Sequence, residues 1–117
     1  MKMILFVLNH PSKVISLLNA WKEAGAGGAT VLFSTGMGRI HQSVALRDDL
    51  PLMPSLADFY DRDEELSRTL FTIVKDDETV KRVIAATRLL VGDLDQPDTG
   101  LLAVLPVEQT EGLEKKR

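Results

Sequence analysis

A strand–helix–strand pattern occurs twice along the chain, and this repetition is the strongest constraint on its fold. The first copy has apolar runs at residues 3–8 and 30–34, and the second has them at residues 69–74 and 101–105. Each run is short and mostly apolar, as buried strands are. Right-handed crossovers join two such units into one antiparallel sheet. We therefore predict an α+β, ferredoxin-like β-α-β-β-α-β sandwich, with a four-stranded antiparallel sheet and two helices on one face.

The segments inside both units have apolar residues at helical spacing. Ser12 is predicted to cap the first helix, because its hydroxyl can accept a hydrogen bond from a first-turn N–H. Asp76 or Asp77 is predicted to cap the second helix, and Gly92 to end it. The predicted buried stripes are Val14, Leu17, Leu18, Trp21 and Ala24 in the first helix, and Val80, Val83, Ile84, Thr87 and Leu90 in the second.

Composition excludes several classes of protein. The 117 residues fit one domain (1–117), and a net charge of −3 argues against nucleic-acid binding. The absence of cysteine excludes disulfides and thiol catalysis. No apolar run approaches the ~18–20 residues of a membrane span. The apolar start is too short for a signal peptide, so we expect a cytoplasmic protein.

The two units are separated by a long insertion, residues 36–67, which is rich in acidic residues. Connections usually have ~4–6 residues, and loops much longer than this are functional or disordered. Short helical turns are predicted near residues 56–60. The charged end of the chain, residues 108–117, is predicted to be a solvated tail.

Both faces of the predicted strands are apolar. Met3, Leu5 and Val7 alternate with residues that are equally apolar, whereas a sheet with one face in water alternates apolar and polar residues. An uncovered face of this kind would exceed the apolar patch that a monomer usually tolerates. We therefore expect the back of the sheet to pack against other subunits; the alternative is that the long insertion folds over it.

The sequence contains no recognisable catalytic arrangement. His10 and His41 are not in a metal-binding spacing, and no nucleophile elbow or Walker-type loop occurs. The carboxylates of the insertion could bind a hard cation such as magnesium. They lack, however, the ordered ligand pattern of a calcium loop. We therefore predict no catalytic residues, no metal site, and a protein that is not an enzyme.

The segment Gly36-Met37-Gly38-Arg39, after the second strand, is the most informative short motif. Glycines let backbone N–H groups approach a ligand closely, and arginine pairs with phosphate or carboxylate. A plain turn with a surface arginine is the alternative interpretation.

In order and spacing, these features resemble the PII (nitrogen-regulatory P-II) signal-transduction family from residue 1 to about residue 107. The matching segments are Leu8-Asn9-His10-Pro11-Ser12-Lys13, Gly28-Ala29-Thr30-Val31, Gly36 to Arg39, Val74-Lys75-Asp76-Asp77, and Gly100-Leu101-Leu102-Ala103-Val104. The insertion then corresponds to the family's long T-loop.

The resemblance implies a homotrimer with an adenine-nucleotide pocket between neighbouring subunits. The positions that match this pocket are Leu8, Gly28, Thr30, Gly36, Met37, Gly38, Arg39, Ile73 and Gly100. Each of them has a simpler alternative, because the apolar ones can be core residues and the glycines can be turns.

The chain also departs from the family. The B-loop lysine is replaced by Leu101, the glutamine after G-x-G-R by Ile40, and the paired C-terminal arginines fall near Gly112 and Glu114. Each lost cationic contact to phosphate is worth about 1.5–3 kcal/mol, so triphosphate binding should be weak. Arg68 and the basic residues at 115–117 are candidates to replace these contacts.

The sequence thus predicts a divergent PII-like regulator with no required cofactor. AMP, ADP or ATP is the expected effector, and the insertion would control a target such as a membrane transporter or a metabolic enzyme. The alternative is a trimeric ferredoxin-like scaffold or cation-binding protein with no nucleotide ligand.

Overall fold

The computed structural model of the chain describes residues 1–37 and 66–114. The elements are β1 (Lys2–Leu8), a short 3-10 helix (Pro11–Lys13), α1 (Val14–Glu23), β2 (Thr30–Ser34), β3 (Ser67–Val74), α2 (Asp77–Val91) and β4 (Leu101–Pro106). The helical turns predicted near residues 56–60 lie outside the described residues.

The four strands form one antiparallel sheet in the order β2-β3-β1-β4. Strand β1 is central, where it pairs Leu5 with Phe71 on one side and with Ala103 on the other. The order and direction of the strands, with two helices between them in the chain, confirm the predicted ferredoxin-like α+β fold.

The core lies between the helices and one face of the sheet. Every second residue of β1 points into it, as the apolar pattern requires. The fully buried side chains from the sheet and the two helices are Ile4, Phe6, Leu8, Leu17, Leu70 and Val83, with Trp21 and Thr87 among them. Both predicted helical stripes are confirmed, since their members are buried or packed against this cluster.

The start of the second helix is confirmed, whereas the cap predicted for the first is wrong. Asp76 caps α2, and Gly92 follows its last residue. Ser12 lies inside the 3-10 turn that Pro11 begins, and α1 starts without a side-chain cap. Proline has a fixed φ that suits the first turn of a helix, so the chain enters helical geometry before Ser12 can act as a cap.

Side chains tie the two helices together at both ends. The Lys13 ammonium at the start of α1 donates to the Leu90 carbonyl at 3.3 Å. At the opposite end, Arg82 Nε donates to the Ala24 carbonyl at 3.1 Å. The start of each helix therefore meets the end of the other, which makes the pair antiparallel.

No helix within residues 1–37 and 66–114 is long and apolar enough to cross a membrane.

Candidate functional site

A groove lies at the edge of β3, because β2 is too short to cover the whole strand. Strand β2 begins at Thr30, opposite Phe71, so residues 72–74 of β3 extend past its start. The Thr72 hydroxyl donates to the Gly28 carbonyl and holds the chain before β2 against this edge. The space left there has a volume of about 930 Å³, which is the size of many small-molecule sites.

Four segments line the groove: residues 25 and 27–30, which lead into β2, residues 71–76 at the end of β3, Thr79 in the first turn of α2, and residues 110–114. Phe71, Ile73 and Val74 provide apolar surface. Gly28 has open space where a side chain would be, so a ligand can approach its backbone. The groove therefore combines an apolar wall with an accessible backbone.

Among the described residues that line the groove, the charged ones are one lysine and three acids, Lys75, Asp76, Glu111 and Glu114. The Lys75 ammonium forms an ion pair with the Glu114 carboxylate, although the two side chains are 62% and 71% exposed. The cation of this groove is thus already neutralised by the chain itself.

Asp76 is committed to the structure of α2. Its carboxylate accepts from the backbone N–H and the hydroxyl of Thr79, both at 2.8 Å. These hydrogen bonds, with a smaller effect from the Arg82 charge, lower the pKa of Asp76 below the ordinary aspartate value. Arg82 also donates to the Thr79 hydroxyl at 3.0 Å. This carboxylate is therefore a helix cap rather than a free ligand-binding group.

The chain after β4 crosses the end of the sheet. Val107 N–H donates to the Met1 carbonyl at 3.2 Å, and the Thr110 hydroxyl lies 3.4 Å from the Met1 sulfur. These contacts and the Lys75–Glu114 pair hold residues 107–114 against the strands. The described part of the predicted solvated tail, residues 108–114, is thus largely exposed but positioned, and residues 110–114 form one wall of the groove. Residues 115–117 of the predicted tail lie outside the described residues.

The predicted binding residues fall into two groups at opposite ends of the sheet. Gly28, Thr30 and Ile73 line the groove. Leu8, Gly36, Met37 and Gly100 lie at the other end, where Leu8 pairs with Arg68 and β2 finishes opposite Ser67. A single chain does not bring the groups together, and Gly38 and Arg39 lie outside the described residues.

Within the second group, Leu8 and Gly100 have clear structural roles. The Leu8 side chain is completely buried in the core, which agrees with the simpler alternative for this position. Gly100 has a φ of +128°, and a Cβ there would lie 2.3 Å from the Val7 carbonyl oxygen. The backbone therefore requires glycine at position 100, whether or not this residue also contacts a ligand.

Arg68, considered above as a replacement phosphate contact, is used at the end of the sheet away from the groove. Its guanidinium lies 4.3 Å from the centre of the exposed Phe33 ring. It also donates to the Leu66 carbonyl at 3.0 Å. The pairing of Phe33 with Arg68 in the sheet fixes both side chains on one face.

Lys75 is the groove residue that sequence reasoning missed. In the PII family, which the sequence resembles, the segment that matches Val74-Lys75-Asp76-Asp77 is V-P-D-D, so the resemblance gives Lys75 no role. Its partner Glu114 is 39 positions along the chain, and only the path of the tail brings them together. The unusual lysine in that motif was the one available signal.

The second candidate surface is the face of the sheet opposite the helices. Strand register places apolar residues from all four strands on it: Met3, Leu5, Val7, Leu32, Phe71, Ile73, Leu101, Ala103 and Leu105. Leu32, Leu101 and Leu105 are 50%, 64% and 42% exposed in the single chain. The predicted two-sided apolar strands thus leave a partly exposed apolar face, named here the sheet back. Residues 38–65 of the insertion, the alternative cover for this face, lie outside the described residues.

Among the described residues, no three histidine or acidic side chains cluster in a way that could hold a metal ion.

A comparison with known protein families finds no match for this chain, and a search of curated protein sequences finds no similar protein.

Proposed function

We propose that the chain is a PII-like regulatory protein. In this proposal it forms a homotrimer through the sheet back and binds a small effector, an adenine nucleotide, between subunits. It then controls a target protein through residues 36–67. The proposal depends on the resemblance of ordered motifs and on two structural observations.

The observation that carries the proposal is the open, apolar sheet back. Burying apolar surface contributes about 25 cal/mol per Å², and a face built from four strands offers several hundred Å². Leu32 and Leu101 are half exposed or more in the single chain. Association of copies through this face would bury these apolar side chains and remove them from water.

The separation of the two groups of predicted binding residues supports a shared site. Gly28 and Ile73 lie at one end of the sheet, whereas Gly36 lies beyond the other end. A site that needs both groups requires one subunit to contribute the groove and its neighbour to contribute the residues that follow β2. An effector bound there would contact the base of the long insertion and bias its conformation.

The character of the groove supports a nucleotide as the effector. Phe71 and Ile73 give an apolar wall for a heterocyclic base, and the open backbone at Gly28 offers polar groups to a ribose or a phosphate. The carboxylates beside it favour AMP over the more highly charged ATP. The target would be a membrane transporter or a metabolic enzyme that recognises one state of the insertion.

Two measurements on the full chain test the proposal. Sedimentation velocity at micromolar concentration should give a trimer, and a stable single-copy species would contradict the shared site. Calorimetric titration with AMP, ADP, ATP and cyclic dinucleotides should give saturable heat with at least one adenine nucleotide. A trimer that binds none of them would instead support the alternative, a ferredoxin-like scaffold without a nucleotide, which the acidic residues of the groove favour.

A further inference from the structure

We infer that Lys75 is the anion-recognising residue of the groove and that Glu114 is its internal competitor. The anionic group of a bound effector, a phosphate in the function proposed above, replaces the Glu114 carboxylate on the Lys75 ammonium. This inference rests on the proposed function, because it identifies how that same site distinguishes phosphorylated from unphosphorylated ligands.

The position of Lys75 carries the first step. It directly follows β3, whose last residues form the apolar wall, and it lines the groove. A ligand whose base lies on Phe71 and Ile73 therefore has the ammonium within the same groove. Among the described residues that line the groove, Lys75 is the one cation, so it is the described side chain whose charge is opposite to that of an anionic group bound there.

The Lys75–Glu114 pair carries the second step. Both side chains are more than half exposed, and exposed ion pairs contribute only ~0–1 kcal/mol. A phosphate has more charge than a carboxylate and several acceptor oxygens, so it competes well for one ammonium. The ion pair is therefore weak enough for a bound anion to replace the Glu114 carboxylate on Lys75. Because the carboxylate competes for the same ammonium, it still lowers the affinity of the groove for an anion.

Exchange has a structural consequence at the tail. Glu114 ends the described part of the segment that forms one wall of the groove. Its ion pair with Lys75 is the polar contact described at this end of the segment, whereas Val107 and Thr110 are held separately by Met1. Losing the pair frees residues 111–114 and leaves residues 107–110 in place. A phosphorylated ligand thus moves the tail, whereas an unphosphorylated one does not.

The test compares adenosine with AMP on four variants by calorimetry. Glu114→Gln removes the competitor and should strengthen AMP binding about threefold to tenfold. Lys75→Gln should weaken AMP binding by a similar factor. Neither change should alter the affinity for adenosine by more than about twofold, because adenosine carries no phosphate.

Lys81 and Glu78 provide a matched control. They form another exposed ion pair, at 3.7 Å on α2, and neither lines the groove. Lys81→Gln and Glu78→Gln change the net charge by the same amounts, so they report any long-range charge effect. The affinities of both control variants for AMP should equal that of the unmodified chain.

The outcomes separate the two proposals. Absence of binding by adenosine and by all adenine nucleotides overturns the proposed function, and the inference with it. Binding of AMP that Lys75→Gln and Glu114→Gln leave unchanged, or alter as much as adenosine binding, overturns the inference alone. A shift of the Gly112 amide resonance with AMP, absent with adenosine, adds support; equal shifts with both ligands would contradict the tail movement.

Discussion

The indole N–H of Trp21 donates a 2.9 Å hydrogen bond to the hydroxyl of Thr87, and this bond joins the last turn of α1 to the C-terminal half of α2. Both side chains are enclosed in the core, with exposures of 1% and 0%. The Thr87 hydroxyl in turn donates to the Val83 carbonyl at 2.8 Å. The Thr87 hydroxyl thus provides the acceptor for the indole N–H of the only tryptophan in the chain, in a part of the core that water does not reach.

Replacing Thr87 with valine should destabilise the protein by about 1–3 kcal/mol, because a buried indole N–H then has no acceptor. Thr87→Ser keeps the hydroxyl and should cost about 1 kcal/mol or less, through the lost methyl group. Urea unfolding followed by Trp21 fluorescence measures both. A loss for Thr87→Ser without one for Thr87→Val would show that packing, and not the hydrogen bond, matters at this position.

Gly100→Ala should destabilise the chain by about 2 kcal/mol or more, since a side chain at this φ is strained and its Cβ collides with Val7. Gly28→Ala meets no neighbouring atom and should change stability by less than about 1 kcal/mol. Thermal unfolding compares them. In the proposed function, Gly28→Ala should still weaken nucleotide binding, because a methyl group then separates the ligand from the backbone.

Leu32→Glu should dissociate the proposed trimer, because it places a charge on the sheet back. Leu89→Glu is the matched control, since Leu89 is 89% exposed on α2, away from the sheet. Light scattering coupled to gel filtration should give a single-copy species for Leu32→Glu and a trimer for Leu89→Glu. If both variants remain trimers, the interface between subunits does not include Leu32 of the sheet back.

Stability should fall in acid partly through Asp76, whose pKa in the folded chain is lowered by its hydrogen bonds from Thr79. Its contribution is complete above the ordinary aspartate pKa of about 3.9 and is lost as the pH falls through the lower folded pKa. Asp76→Asn keeps a capping group that does not titrate. The melting temperature of the unmodified chain should therefore exceed that of Asp76→Asn at pH 7, and the difference should disappear in strong acid.

Asp76→Ala separates capping from charge. It removes the acceptor of the Thr79 N–H, so its melting temperature should be below that of Asp76→Asn at neutral pH. If the alanine and asparagine variants melt together at every pH, the cap contributes nothing beyond its charge.

Local pattern predicted the elements. Apart from the Ser12 cap, which the neighbouring Pro11 prevents, the errors lie where distant residues decide the structure. The apolar run predicted β3 from residue 69, but the strand begins at Ser67, because Ser34 of β2 pairs with it. Nothing local marks Ser67 and Arg68 as strand residues. The alternation of Met3 and Leu5 with core residues, by contrast, was sufficient to predict an apolar sheet back.

The candidate site was predictable only in part. Gly28, Thr30 and Ile73 came from ordered motifs, and they do line one groove. The groove itself results from a mismatch in length between β2 and β3 and from the path of the tail across Met1. Both depend on tertiary packing, so neither the partner of Lys75 nor the wall that Glu114 forms was available from sequence spacing.

Three side-chain hydrogen bonds link the two helices in addition to their apolar packing: one from Lys13 at one end, one from Arg82 at the other and one from Trp21 between them. Sliding one helix along the other would break all three, so the two helices behave as a single rigid plate rather than as a shear joint. In the proposed function, a conformational change caused by the effector therefore passes through the segments that leave the strand ends, rather than through sliding of the helices.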